Sequence, residues 1–261
     1  MSSRSTVALV LALCWSSSAA AATPCPPEMA QVGESCVDRW EASLVELDER
    51  GRELGPFSPY VSPEGRYVKA VSKAGVTPQA YLSWHDAKAA CENAGKRLCR
   101  ADEWVSACKG PEKSRYPYGN VHVAKACIDT GRTAPLSKYW PAAQMFSMQA
   151  MNDPRLNQTP NTVAETGEAT QCTNAYGVFD MVGNVHEWAA DGTFRGGYFL
   201  DTHINREGCD YVTTAHEKSW HDYSIGFRCC ADPGSLQVDP AFYAQLAEIA
   251  VGAKFTVVAA R

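Results

Sequence analysis

Two carboxylates and a glycine in Asp180-x-x-Gly183-x-Val185-x-Glu187 form the first pattern with chemistry in it. Calcium takes six to eight oxygen ligands at about 2.3–2.6 Å, drawn from carboxylates and backbone carbonyls on an irregular loop. Asp180 and Glu187 with a tight turn at Gly183 can supply such a set. On spacing alone, acids that cap nearby backbone N–H groups are the simpler account. The six histidines, at 85, 122, 186, 203, 216 and 221, contain no H-x-D/E and no H-x-x-x-H pair. A non-haem iron site, which needs two histidines and a carboxylate around open positions, is therefore not indicated. His203, His216 and His221 with Asp201 or Asp222 could line a pocket, although surface or hydrogen-bonded imidazoles are the simpler expectation, and His186 is assigned to packing. No G-x-S-x-G elbow and no glycine-rich phosphate loop is present.

The chain has 11 cysteines, and all but Cys14 follow an export-like leader. Arg4 gives that leader its positive start, Val7 to Trp15 its apolar stretch, and Ala20 and Ala22 fit the A-x-A cleavage rule, which puts the mature start at Thr23. Leu11-Ala12-Leu13-Cys14 resembles a lipid-attachment box only faintly, because Leu13 is bulky where a small residue belongs, so cleavage rather than lipidation is expected. An even set of cysteines behind such a leader implies disulfides in an oxidising compartment, periplasmic or secreted. A zinc site would need close pairs such as C-x-x-C, and none exists. No later segment is apolar enough to span a membrane, and the net charge of −5 gives nothing to attract a nucleic-acid backbone.

Regular structure is expected to be sparse, with Gly 19 and Pro 15 scattered along the chain. One helix starts after Ser83, an N-cap with Asp86 as its capping-box partner. It presents Ala87, Ala90, Cys91 and Ala94 on one face and stops at Gly95. A second runs from about Ala101 to Lys109, with Asp102 and Glu103 in its positive first turn and Trp104, Ala107 and Cys108 on one side. A third is expected after Asp239-Pro240, carrying Phe242, Leu246 and Ile249, and a strand over Lys254 to Ala259. The rest reads as short strands and long loops, notably Gly110 to Thr173. Pro233-Gly234 marks the boundary, giving a leader (1–22), a domain (23–233) and a C-terminal extension (234–261). Asn157-Gln158-Thr159 is a glycosylation sequon that matters only in a host that uses it.

Several segments, in this order, resemble the formylglycine-generating enzyme (sulfatase-modifying factor) family. They are Cys36-Val37-Asp38-Arg39-Trp40-Glu41; Gly95-Lys96-Arg97-Leu98 with Glu103-Trp104; Tyr116-Pro117-Tyr118-Gly119-Asn120; Asn174 through Trp188; Arg195-Gly196-Gly197; and Gly226-Phe227-Arg228-Cys229. The resemblance implies an α+β fold, a loop-rich variant of the C-type lectin fold with few short strands and two central helices. It implies a structural calcium held by the Asp180 and Glu187 side chains and the Gly183 and Val185 carbonyls. A second family calcium site would lie near Ala126 to Asp129, but Cys127 stands where the usual asparagine would be, so that site is left open. The resemblance also implies disulfides Cys91–Cys229 and Cys108–Cys209, to which Cys25–Cys36 adds a local bridge. Cys99, Cys127, Cys172 and Cys230 are left open, with Cys127–Cys172 and Cys99–Cys230 preferred.

The family's oxidase binds copper(I) through two cysteines between its Gly-Gly turn and the structural cysteine matching Cys209. Counting from either end puts those positions at Asp201 and Arg206 or at Phe199 and Ile204, and residues 198–208 contain no cysteine. Tyr198 stands where a serine usually follows the glycine pair. Copper(I) is soft and selects thiolates, so copper is not expected as a cofactor. Two functions remain: a divergent, non-catalytic module that presents a variable surface to a peptide, glycan or protein ligand, or an oxidoreductase of the family (formylglycine generation or periplasmic oxidative tailoring) with a different active site.

Overall fold

The computed structural model describes residues 25–201 and 205–236. The leader, His203, Ile204 and the expected C-terminal helix and strand lie outside the described residues. Within them, three small sheets and four helices are joined by long loops. The first sheet brings the two ends of the domain together. Strands β1 (Met29–Val32) and β2 (Ser35–Asp38) form an antiparallel hairpin, and β11 (Cys229–Ala231) inserts between β2 and β6 (Arg97–Leu98). A second sheet, β4-β3-β5, is built from Ala42–Leu47 (β3), Glu53–Pro56 (β4) and Val68–Ser72 (β5). Alternating burial along β5 shows that one face covers the core and the other meets solvent. The third sheet orders β10 (Ile225–Phe227), β7 (His186–Trp188), β8 (Phe194–Arg195) and β9 (Val212–Thr213), with β10 and β7 parallel.

The two central helices form where their local signals place them. Helix α1 (Trp84–Asn93) has the reciprocal Ser83–Asp86 capping box and buries Ala87, Ala90 and Cys91. Helix α2 (Ala101–Lys109) buries Trp104, Ala107 and Cys108 and ends at Gly110. Its first-turn Glu103 does more than complement the helix dipole. It is buried and held by Arg97, Arg100 and Ser35, and although burial opposes ionisation, these bonds bring its pKa down to about 2. Between Gly110 and Thr173 the chain makes only two single-turn helices, α3 (Leu136–Tyr139) and α4 (Met148–Met151). No helix among the described residues is long and apolar enough to cross a membrane.

Five disulfides pin these elements: Cys25–Cys36, Cys91–Cys229, Cys99–Cys230, Cys108–Cys209 and Cys127–Cys172. Cys229 and Cys230 are neighbours on β11, so their sulfurs leave opposite faces of the strand, one to α1 and one to the turn before α2. Packing continues past the expected boundary, because Leu236 lies against the Met29, Cys36 and Ala231 cluster. Asn157, the sequon residue, is 5% exposed and its side-chain amide donates to the Tyr223 carbonyl at 2.7 Å, so in the folded domain it is a buried structural group rather than a glycan acceptor.

Replacing Cys99 and Cys230 together by serine opens a cross-link between residues 131 positions apart and should cost about 2–5 kcal/mol, read from urea unfolding. Non-reducing peptide mapping of the parent protein checks the pairing; a Cys99 or Cys230 peptide linked elsewhere contradicts it.

Candidate functional site: a buried acid cluster and an aromatic cluster

The loop from Asp180 to Glu187 runs into β7 and is tightly folded. Asp180 and Asn184 have left-handed φ values of 58° and 55°, which these two residue types tolerate best after glycine. Gly183 has φ +84°, and a Cβ there would stand 2.4 Å from the Ile128 carbonyl oxygen. That close approach lets Asn184 N–H donate to Ile128 O at 2.9 Å and Gly183 N–H to Gly196 O at 2.9 Å. The loop is thereby fixed between the 110–173 segment and the Gly-Gly turn.

The fold brings together three buried acids: Glu41 at the entry to β3, Asp180, and Glu187 on β7. One buried cation meets them. Arg228, between β10 and β11, donates from Nη2 to Glu187 Oε1 at 2.6 Å and from Nε to Glu187 Oε2 at 2.7 Å. Its Nη1 reaches the Asp38 carbonyl at 2.9 Å and its Nη2 the Phe179 carbonyl at 2.8 Å. Trp104 Nε1 also donates to Glu187 Oε2 at 2.6 Å. Glu41 accepts from Asn184 Nδ2 at 2.7 Å and from Val185 N–H at 3.2 Å. Asp180 Oδ2 accepts from Gly167 N–H at 2.6 Å, while its Oδ1 is buried with no hydrogen-bond partner.

Charge in this cluster does not balance. Burial, then the neighbouring Asp180 and Glu187, push Glu41 well above the usual carboxylate range. Burial likewise pushes Asp180 up to about 7, against its bond from Gly167 and the field of Arg228. Such a cluster favours a second positive charge, and the unpartnered Asp180 Oδ1 suits a hard cation. Glu187 retains one lone pair on Oε1 after its three N–H donors are counted. If calcium binds here, Asp180, Glu187 and the Gly183 and Val185 carbonyls would hold it and the ion would supply charge neutralisation rather than reaction chemistry, although the acids do not form a ready-made metal-ligand group among the described residues. Glu41 is the member that sequence reasoning left without a role. It lies in a quoted motif, and no local signal marks it, because its partners Asn184 and Val185 are far along the chain.

At the turn where the resemblance locates the oxidase thiols, the structure places aromatic rings, aspartates and histidines. His186, 5% exposed, stacks on Tyr211 and makes tilted contacts with Phe194 and Tyr198, at centroid distances of 5.5, 5.2 and 5.1 Å. Its Nε2 lies 3.8 Å from Asp201 Oδ2, and its Nδ1 has no hydrogen-bond partner. Burial lowers its pKa against the opposing pull of Asp201 and Asp222, so the imidazole is neutral. His186 thus packs among aromatic rings, in the role that the sequence suggests. His216 is sandwiched between Phe194 and Trp220, and His221 Nδ1 pairs with Asn152 Oδ1 at 2.7 Å, so neither joins a metal-ligand set. No group of three or more His, Cys, Asp or Glu side chains poised for a metal occurs among the described residues. Phe199 is fully buried against Tyr223, and Arg206 is exposed with its carbonyl bonded to Tyr116.

Arg228→Met should cost about 3–5 kcal/mol in urea unfolding, because it leaves a buried acid cluster without its cation. Adding Glu187→Leu should recover part of that loss, whereas a double variant as unstable as the sum of the singles contradicts the coupling.

Residues 58–233 match the sulfatase-modifying factor enzyme 1-like domain. The formylglycine-generating enzyme of Thermomonospora curvata is 29% identical over 218 residues, covering 68% of this chain and 66% of that protein. The inactive C-alpha-formylglycine-generating enzyme 2 of Bos taurus is 28% identical over 170 residues, covering 60% and 51% respectively. The chain therefore spans about two thirds or less of the length of these relatives. The structure of PvdO from Pseudomonas aeruginosa aligns with a TM-score of 0.46 at 16% identity, over 81% of this chain and 90% of that one. With its ordered motifs and a domain match over most of its length, the chain belongs to the formylglycine-generating enzyme (sulfatase-modifying factor) family.

Proposed function

We propose that this chain is an exported, calcium-stabilised binding module of the family that does not carry out copper-dependent cysteine oxidation. The observation that carries this reading is the state of the sulfurs: every cysteine among the described residues is in a disulfide. Copper(I) coordination needs thiolates, and a disulfide sulfur supplies none. Cys209, the cysteine nearest to the expected copper positions, is bonded to Cys108 and fully buried. The five bridges are compatible with the oxidising compartment that the leader implies. Few short strands, two central helices and long cross-linked loops support the C-type-lectin-like variant of the fold as the scaffold. On such a scaffold the aromatic and acidic residues at positions 186–223 would face a ligand rather than a reacting thiol.

Purified protein given copper, oxygen and a Cys-x-Pro-x-Arg peptide should yield no formylglycine by mass spectrometry. Copper-dependent turnover that survives in Cys209→Ser would show another ligand set and overturn the reading.

Calcium is tested through stability. Asp180 binds its proton more tightly folded than unfolded, so in chelator its contribution is complete below pH 4 and is lost as pH rises through about 7. Calcium should therefore raise Tm over the chelated protein, and by more at pH 7.5 than at pH 4.5. An unchanged Tm at both pH values means that the acids are held by Arg228 and backbone N–H groups alone.

A further inference from the structure

Strand β5 closes one side of the β4–β3–β5 sheet, so one of its edges has no neighbouring strand. The register decides which main-chain groups that edge carries. Leu47 N–H donates to the Tyr67 carbonyl at 2.7 Å, and in an antiparallel pair every second opposed couple exchanges hydrogen bonds. Along the register, Lys69 with Val45 and Val71 with Ser43 are therefore the bonded couples, whereas Val68, Ala70 and Ser72 turn their N–H and C=O groups outward. Asn93 Nδ2 takes the outward Val68 carbonyl at 2.8 Å. The N–H and C=O groups of Ala70 and Ser72 have no partner among the described residues. Residues 69–73 line a cavity of about 580 Å³, together with Asn93 and Ala94 at the end of α1, Lys96 and Glu28. Glu28 contributes Oε2, a buried acceptor that also lacks a partner.

We propose that the free edge of β5 is a docking site for an extended acidic segment of another polypeptide, which adds a fourth strand to this sheet. The surface is separate from the aromatic cluster around His186 and does not depend on what that cluster binds. Two outward residues with one inward residue between them present donors and acceptors at strand spacing, a pattern that an extended backbone matches group for group. Charge then selects the sequence. Lys69, Val71 and Lys73 alternate onto the face opposite to Ala70 and Ser72. Lys73 has no ion-pair partner among the described residues, and Lys69 meets only Glu53, which is 59% exposed, so water screens that pair. Lys96, by contrast, is committed to Asp38. Two available cations on one face favour a ligand with acids four residues apart on the matching face. The same lysines oppose edge-to-edge pairing of two copies of this chain, since antiparallel pairing sets Lys69 against Lys73. They also disfavour the chain's own Lys254 to Ala259, a segment with a lysine and no acid. Glu28, the one acid in the lining, offers its free oxygen to an N–H or hydroxyl of the ligand.

The isotope-labelled chain beginning at Thr23 would be titrated at low salt with acetyl-Glu-Val-Thr-Val-Glu amide up to millimolar concentration. In antiparallel register its glutamates oppose Lys73 and Lys69, and its valines bond Ser72 and Ala70. The readout is hydrogen exchange at the Ala70 and Ser72 amides, compared with the Lys69 and Val71 amides that β3 protects. In the free protein Ala70 and Ser72 should exchange at least tenfold faster than those two, and the peptide should slow them saturably by tenfold or more. Acetyl-Lys-Val-Thr-Val-Lys amide, and the acidic peptide N-methylated on both valines, should bind at least tenfold more weakly. Lys69→Gln combined with Lys73→Gln should retain Tm and the free-state exchange pattern while weakening the acidic peptide tenfold or more. Ala70 and Ser72 amides as slow as those of Lys69 and Val71 before any peptide is added would show the edge already covered, by a second copy where the protection depends on concentration and by the chain's own extension where it does not. Either case overturns the proposal. No saturable protection by the acidic peptide, or equal binding of the basic one, overturns it as well.

Discussion

The Arg228 guanidinium is the interaction on which the rest of the structure depends. One fully buried cation bonds the Glu187 carboxylate on both oxygens and the carbonyls of Asp38 and Phe179. It thereby joins the end of β2, the loop before β7, β7 itself and the strands that close the domain. Beside it, Asp38 accepts from Lys96 at 2.6 Å and from Cys229 N–H at 3.1 Å, so the next residue of the closing segment is held by a second charged group. Taking these ions out of water is costly, and only their near-complete hydrogen bonding makes the arrangement tolerable. The chain meets this constraint with glycines where backbones touch, with left-handed Asp180 and Asn184, and with disulfides on either face of β11.

That core fixes what the neighbouring turn can present. The Gly196-Gly197 turn is tied to the acid loop through the Gly183 N–H bond to Gly196, so residues after it emerge at a set place beside β7. The chain puts Tyr198 and Asp201 there, facing His186, instead of thiols. Cys209, the sulfur that follows, is committed to α2 through Cys108. The scaffold of an oxidase is thus retained while the chemistry at its turn changes from soft, electron-rich sulfur to aromatic faces and hard oxygen acceptors. Under the proposed binding-module reading, those groups would serve recognition rather than copper-assisted oxidation.

How legible this was in the sequence follows from the range of each signal. The ends of α1 and α2 rest on local rules, the Ser83–Asp86 box and Gly110, and could be read directly. Cys91, Cys229, Cys108 and Cys209 were paired through family resemblance, since separations of 138 and 101 residues leave no local trace of partnership. Glu41 and its partner Val185 lie 144 positions apart, so the acid's part in the cluster appears only when β3 is docked. The sequence indicates that His186 packs but not against what, because its surroundings come from three separate segments, around Phe194, Tyr198–Asp201 and Tyr211. Only the pairing of β7 with β8, and of β8 with β9, assembles them. The β3–β4–β5 sheet likewise has no clear signature in the sequence, its short strands carrying too few residues to establish a period.

Anaerobic titration of the chain beginning at Thr23 with copper(I), competed against a soluble chelator of known affinity, tests the central claim most directly. Absence of free thiols in denaturant, no thiolate-to-copper charge-transfer band, and copper passing wholly to the chelator are the predicted results. One tightly held equivalent of copper(I) with a thiolate absorption band would contradict the account, because it would require a cysteine pair that the five disulfides exclude.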